Sequence, residues 1–228
     1  MWCLWSAKGG VGTTVCASAL AAAMARDGRE VLLVDLGGDV PAVAGLPEAQ
    51  FGVTDWLAAA EPDPAALRRL EMPTPGGVTI LPLGEADSWP FASMAALFGV
   101  LASDDRHVVV DAGTVGVRAV AATPRGELGD LGRLRHDVVL AAERSLVCLR
   151  PCYLGLRRMA RIDLPLSGVV VIGEAGRALD AHDVEAVVGA PAVARVDLDP
   201  AVARAVDAGI FFDRPPRGAL RQLRRAVA

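Results

Sequence analysis

Short, nearly uninterrupted apolar runs recur along the chain, separated by longer stretches in which apolar and polar residues mix at helical spacing. The runs "CLWSA" (3–7), "VLLVD" (31–35), "VTILPL" (78–83), "HVVVDAG" (107–113), "SLVCLR" (145–150), "GVVVIG" (168–173) and "AVARVD" (192–197) predict strands. Most lack a period of two, the pattern of a strand buried on both faces. Helices are predicted from about Thr14 to Arg26, with Gly28 as the stop, and over 93–103, 154–161, 181–189 and 200–209. Pro62, Pro64, Pro73, Pro75, Gly76 and Gly77 punctuate a variable middle, and 114–134, rich in glycine and arginine, fits no element. This alternation predicts an α/β fold: a mostly parallel sheet with helices on both faces, in a single domain over 1–228.

Composition narrows the function classes. At 228 residues the chain suits one α/β domain with a substantial core. Although 53% of residues are hydrophobic, no uncharged apolar run reaches the ~18–20 residues of a membrane span, and Arg26 and Asp27 close the longest, "ASALAAAMA". With no basic, apolar leader ahead of residue 7, a cytoplasmic protein is expected, with peripheral contact at a membrane or cell pole left open. The four cysteines, Cys3, Cys16, Cys148 and Cys152, have no metal-ligand spacing and read as reduced thiols. A net charge of −4 argues against a generally nucleic-acid-binding surface, yet "RPPRGALRQLRRAVA" holds five arginines and no acid. A second basic group comprises Arg144, Arg150, Arg157, Arg158 and Arg161.

The chemistry concentrates at the start of the chain. "AKGGVGTT" (Ala7, Lys8, Gly9, Gly10, Val11, Gly12, Thr13, Thr14) falls between a predicted strand and a predicted helix. Glycines there let successive backbone N–H groups turn inward, and the helix start adds free N–H groups and a partial positive charge. Such a loop holds a phosphate chain, with the Thr14 hydroxyl placed to ligate Mg²⁺. Two later strands end in Asp35 and Asp111, at the sheet edge where parallel strands gather their ligands. Asp111 is placed to hold the metal, through water. Together these features predict a three-layer P-loop NTPase fold.

"KGGVGTT", "VLLVDL" and "VVVDAG" resemble the ParA/MinD family of P-loop ATPases, whose deviant Walker A motif is K-G-G-x-G-K-[ST]. The resemblance implies ATP with Mg²⁺ and a nucleotide-sandwiched homodimer in which Lys8 reaches the partner's phosphates. It further implies that Asp35 supports the metal region, with Thr14 and Asp111 as the other metal-side residues. Two positions depart from the family pattern. Thr13 replaces the loop lysine, and Gly37 replaces the second aspartate of "VDxD", which usually orients the attacking water. Asp39 lies two residues further on and is the candidate substitute. "KGGVGTT" is most similar to the TadZ/CpaE-like branch, whose members help position and assemble Tad-type pili. Only six residues precede the loop, so the receiver-like N-terminal domain of many such proteins is not expected.

Losing one charge-assisted contact costs about 1.5–3 kcal/mol, or about one to two decades of affinity. Turnover should suffer more, because phosphoryl transfer rests on positioned charge. Arg177 in "GEAGR" is a candidate base contact, as is the loop "DLDP" (197–200). In "GALRQLRRAV", Leu220, Leu223 and Val227 share one helical face, which predicts a docked last helix. By resemblance that basic helix could instead touch a membrane surface or DNA. Trp2 and Trp5 read as packing residues, and His107, His136 and His182 suggest no catalytic base. The expected function is an ATP-binding dimerisation switch with slow or absent hydrolysis, serving protein partners of a pilus or secretion system. An active partitioning ATPase and a scaffold that no longer binds nucleotide are the alternatives.

Overall fold

A computed structural model describes residues 1–116 and 130–227. Each apolar run named above forms a strand; most bury side chains toward both layers of helices, while the last, 192–197, lies at the sheet edge with Arg195 and Asp197 exposed. The strands are β1 (Trp2–Ser6), β2 (Val31–Asp35), β4 (Val78–Leu81), β5 (His107–Thr114), β6 (Arg144–Leu149), β7 (Gly168–Gly173) and β8 (Ala192–Asp197). One further strand, β3 (Met72–Pro73), pairs antiparallel with β4 at the sheet edge, where a proline costs no ladder bond. The sheet has eight strands in the order β3-β4-β2-β5-β1-β6-β7-β8, and every pairing except β3–β4 is parallel.

Side chains divide between two layers by strand alternation. Val31 and Leu33 of β2, with Leu4 of β1, pack under α1 (Thr13–Arg26), α2 (Val40–Val43), α9 (Pro200–Asp207) and α10 (Arg217–Val227). Leu32 and Val34, with Cys3 and Trp5, face the opposite layer. That layer contains α3 (Val53–Ala58), α4 (Pro64–Arg69), α5 (Phe91–Ala102), α6 (Asp130–Ala141), α7 (Tyr153–Met159) and α8 (Ala181–Val188). The α1 helix ends at Arg26, with Asp27 as its cap and Gly28 at a positive φ of 80°. The three short helices α2, α3 and α4 fill the middle region for which the apolar pattern predicts no helix. Of the unassigned stretch 114–134, residues 117–129 lie outside the described residues, and from Asp130 the chain is α6.

The topology places the site. From β1 the chain moves outward to β2 on one side, and after β5 it returns to the other side of β1 as β6. The strand order reverses around β1, and the crevice of a doubly wound sheet opens at such a reversal, beyond the strand C-termini. The loop 7–12 leaves β1 there. Leu220 and Leu223 of α10 are buried, and α10 packs on α1 and β8, so the described part of its apolar face is used within the fold. Among the described residues, no helix is long and apolar enough to cross a membrane.

Candidate functional site

The loop that follows β1 is shaped by backbone geometry. Gly10 and Gly12 adopt φ of 72° and 101°, in the left-handed region that glycine enters without a Cβ penalty. Gly12 is the N-cap of α1 and supplies no capping side chain, so the first-turn N–H groups remain available to a ligand. Ser6 pins the start of the loop: its hydroxyl donates to the Lys8 carbonyl oxygen at 3.0 Å and lies 3.4 Å from that of Gly113. Thr13, where the family's lysine would stand, is buried at 6% exposure and carries no charge toward the cleft.

Asp35 and Asp111 are Cα partners in neighbouring strands, and both are fully buried. They are used differently. The Oδ1 of Asp35 accepts from the N–H groups of Gly37 at 2.9 Å and Gly38 at 2.7 Å, and its Oδ2 accepts from Val40 N–H at 3.0 Å. Both oxygens therefore shape the β2–α2 turn. Burial nonetheless pushes its carboxyl above the ordinary range, against the pull of those three N–H groups, and Asp39 pushes the same way.

Asp111 has one oxygen satisfied and one orphaned. Its Oδ1 accepts from Gly113 N–H at 2.9 Å, while its buried Oδ2 has no hydrogen-bond partner. Burial pushes its carboxyl up to about 6; the Thr14 hydroxyl beside it opposes the shift, Asp35 reinforces it, and Gly113 N–H and Arg135 oppose it. A buried, unpartnered carboxylate oxygen next to a threonine hydroxyl suits a hard cation that takes oxygen ligands and keeps several waters. The donor set therefore fits Mg²⁺. Among the described residues no group of three His, Cys, Asp or Glu side chains is placed to hold a metal without such outside ligands.

Gly37 packs directly on this pair. A Cβ built on it would meet Asp111 Oδ2 at 2.8 Å and Asp35 Oδ1 at 3.4 Å. Its lack of a side chain is therefore a close-packing feature as well as the loss of an acid.

Two adjoining hollows meet at the loop. One, of about 550 Å³, is walled by Gly9 to Thr14, Gly37, Asp39, Thr114 and Arg135. The other, of about 600 Å³, shares Gly10, Val11 and Gly12 and is otherwise largely apolar, with Ile172, Val196, Leu198 and Pro200. Asp39 is exposed on the wall of the first hollow, which is where a substitute acid would need to stand. The loop 197–200 lines the second hollow. Lys8 lines neither hollow and makes no ion pair among the described residues. Arg177 is not brought to the site; it is exposed and donates to Glu174 at 2.8 and 2.6 Å.

Two arginines that no motif singles out are brought in. Arg135 of α6 donates through Nε to the Leu36 carbonyl oxygen at 2.7 Å and lines the first hollow. Burial draws its pKa down, with Asp111 and Asp35 acting the other way. Arg150, at the end of β6, lines the apolar hollow with a buried Nε that has no hydrogen-bond partner. Of the mid-chain arginines, Arg144 lies over the Trp2 ring, 5.9 Å from its centroid, and Arg157, Arg158 and Arg161 are exposed. The signal for Arg135 was weak: it is one of two arginines, with Arg133, in a helix that the sequence pattern does not predict.

Comparison with known proteins bears on the fold and the family. No curated protein sequence matches the chain. Among solved structures, it is similar to MinD in the MinC:MinD cell division complex of Aquifex aeolicus, at 18% identity and TM-score 0.76, covering 100% of this chain and 96% of that one. A ParA family ATPase from Chlorobium tepidum is similar at 18% identity and TM-score 0.73, with 100% and 98% covered. The septum site-determining protein MinD of Pyrococcus horikoshii, complexed with Mg-ADP, is similar at 19% identity and TM-score 0.69, with 99% and 93% covered. At these identities the likeness is one of fold. The sequence profile of the CobQ/CobB/MinD/ParA nucleotide binding domain matches residues 2–210, and the chain belongs to that family.

Proposed function

We propose that the protein is an ATP-binding dimerisation switch of ParA/MinD type that turns over slowly or not at all. The observation that carries this reading is the pairing of an open phosphate loop with the orphaned Oδ2 of Asp111 beside Thr14. A scaffold that had lost nucleotide binding would have no reason to keep a buried, unpartnered carboxylate oxygen, which is costly to maintain.

When bound, Mg²⁺ would offset the charge of the phosphates. Thr14 would hold it through its hydroxyl, and Asp111 through water. The N–H groups of Gly10 to Thr14 would line the phosphate chain, and the apolar hollow bounded by residues 196–200 would take the base. Asp35 holds the β2–α2 turn in shape, and so fixes where Asp39 stands. Because Lys8 lines neither hollow of its own chain, it is free to act across a dimer. Slow turnover follows from two absences, the lysine at Thr13 and the acid at Gly37, which serve the transition state more than the ground state.

The lysine-less "KGGVGTT" loop supports the narrower reading that the switch belongs to the TadZ/CpaE-like branch and positions or assembles a pilus or secretion machine. One observation favours a second reading, an active partitioning ATPase: Asp39 is exposed on the wall of the phosphate hollow, where it could orient water. Titration with a fluorescent ATP analogue, with and without Mg²⁺, tests the main proposal. Mg²⁺-dependent saturable binding is expected. No binding under either condition would leave the scaffold reading.

A further inference from the structure

We propose that Arg135 takes the place of the missing loop lysine and contacts the terminal phosphate of the bound nucleoside triphosphate. This rests on the nucleotide-binding reading above and adds a residue to it.

The argument begins with donors. A guanidinium has five N–H donors in a fixed fork, and the Leu36 carbonyl oxygen engages only one edge of the group. Among the described residues Arg135 forms no ion pair within 4.0 Å. The acids nearest it favour its charge but make no bond to it: Asp35 accepts from three backbone N–H groups, and Asp111 accepts from Gly113 N–H. Its remaining N–H donors have no protein acceptor among the described residues, and a half-buried guanidinium gains when an acceptor completes them.

Position then selects the anion. Arg135 lines the hollow formed by Gly9 to Thr14, Gly37 and Asp39, and does not line the apolar one. A nucleotide with its base in the apolar hollow runs its phosphates along the loop, so its last phosphate lies farthest from the base. Arg135, with Gly37 and Asp39, lines the hollow that this phosphate would enter. A planar guanidinium can bind a phosphate through two N–H groups at once. The contact to Leu36 also ties Arg135 to the turn that carries Gly37 and Asp39, so engagement of the last phosphate would be felt in that turn.

The bland account is that Arg135 is only a clamp on Leu36. Binding of labelled ATP and ADP with Mg²⁺ to the full chain, and to variants at 13, 135 and 150, separates the two. Arg135→Ala is expected to weaken ATP binding about 10- to 100-fold and ADP binding by less than about threefold. Arg135→Lys keeps a cation but loses the two-point grip, and should retain most of the ATP-over-ADP preference. Adding Thr13→Lys to Arg135→Ala should recover most of the loss, which a damaged fold would not allow. The proposal is overturned if Arg135→Ala leaves the preference unchanged, if Lys behaves as Ala, if Thr13→Lys gives no recovery, or if Arg150→Ala alone abolishes the preference. Failure of the parent chain to bind either nucleotide would overturn the nucleotide reading itself, and is seen before any variant is made.

Discussion

A Cβ placed on Gly37 would stand 2.8 Å from Oδ2 of Asp111, inside the closest approach that real Cβ atoms show. The turn after β2 is thus packed against that buried carboxylate. Any side chain at 37 must displace that carboxylate or move the turn.

Restoring the family's acid should therefore fail to restore catalysis. Gly37→Asp is expected to leave phosphate release at background and to weaken Mg²⁺-dependent nucleotide binding by about tenfold, the equivalent of about 1.4 kcal/mol. A phosphate-release assay beside a binding titration checks both. Turnover rising to a clear multiple of the parent rate would show that the acid alone was missing.

Lys8 should matter between chains more than within one. Because it lines neither hollow, Lys8→Ala should leave nucleotide affinity of the monomer within about threefold, under 1 kcal/mol. It should abolish the ATP-dependent dimer. Light scattering of the variant with Mg·ATP, at a protein concentration where the parent dimerises, is the measurement. A dimer of unchanged stability would remove Lys8 from the interface.

The buried Asp111 sets a pH signature. Its carboxyl stands at about 6 in the folded chain against 3.8 as its unperturbed value, chiefly through burial. The folded chain thus keeps a proton that the unfolded chain has released across roughly pH 4 to 6. Stability of the metal-free protein should fall as pH rises through that window, by about 3 kcal/mol from this group. Asp35, raised for the same first reason, acts in the same direction. Urea unfolding of parent and Asp111→Asn at pH 4 and pH 7 should show the variant gaining relative stability at the higher pH. Parallel curves would mean that the burial of Asp111 costs nothing. Added Mg·ATP should stabilise the parent more at pH 7 than at pH 5, since the proton and the cation compete for one carboxylate.

The last helix is integral to the described fold. Leu223 is fully buried between α10, α1 and β8. Leu223→Ala should lower stability by about 2–5 kcal/mol. An unchanged urea midpoint would mean that α10 undocks readily and that its leucine face is free for other partners.

The sheet was legible because its strands are buried on both faces: "VLLVD" and "GVVVIG" admit no helical or alternating reading, and their strands begin and end where the runs do. The phosphate loop was legible because glycine spacing and backbone conformation are directly linked, as Gly10 and Gly12 show. Strand β3 was not, because a two-residue edge strand containing Pro73 carries no periodic signal. Helix α6 was not expected, and so neither was Arg135, whose place at the cleft depends on how α6 packs against β5. Gly37 was legible as a missing acid, but its contact with Asp111 depends on the register between β2 and β5. Arg177 went the other way: position in the chain suggested a base contact, whereas a local pairing with Glu174 holds it at the surface.

The central claim is that the chain holds ATP between two subunits and releases it slowly. Sedimentation velocity on the full chain, with Mg·ATP added and scans repeated over several hours, tests it in one measurement. The account predicts a shift from monomer to dimer on addition of Mg·ATP, and a dimer fraction that stays constant throughout. A chain that remains monomeric, or a dimer that decays within minutes as ATP is consumed, would contradict it.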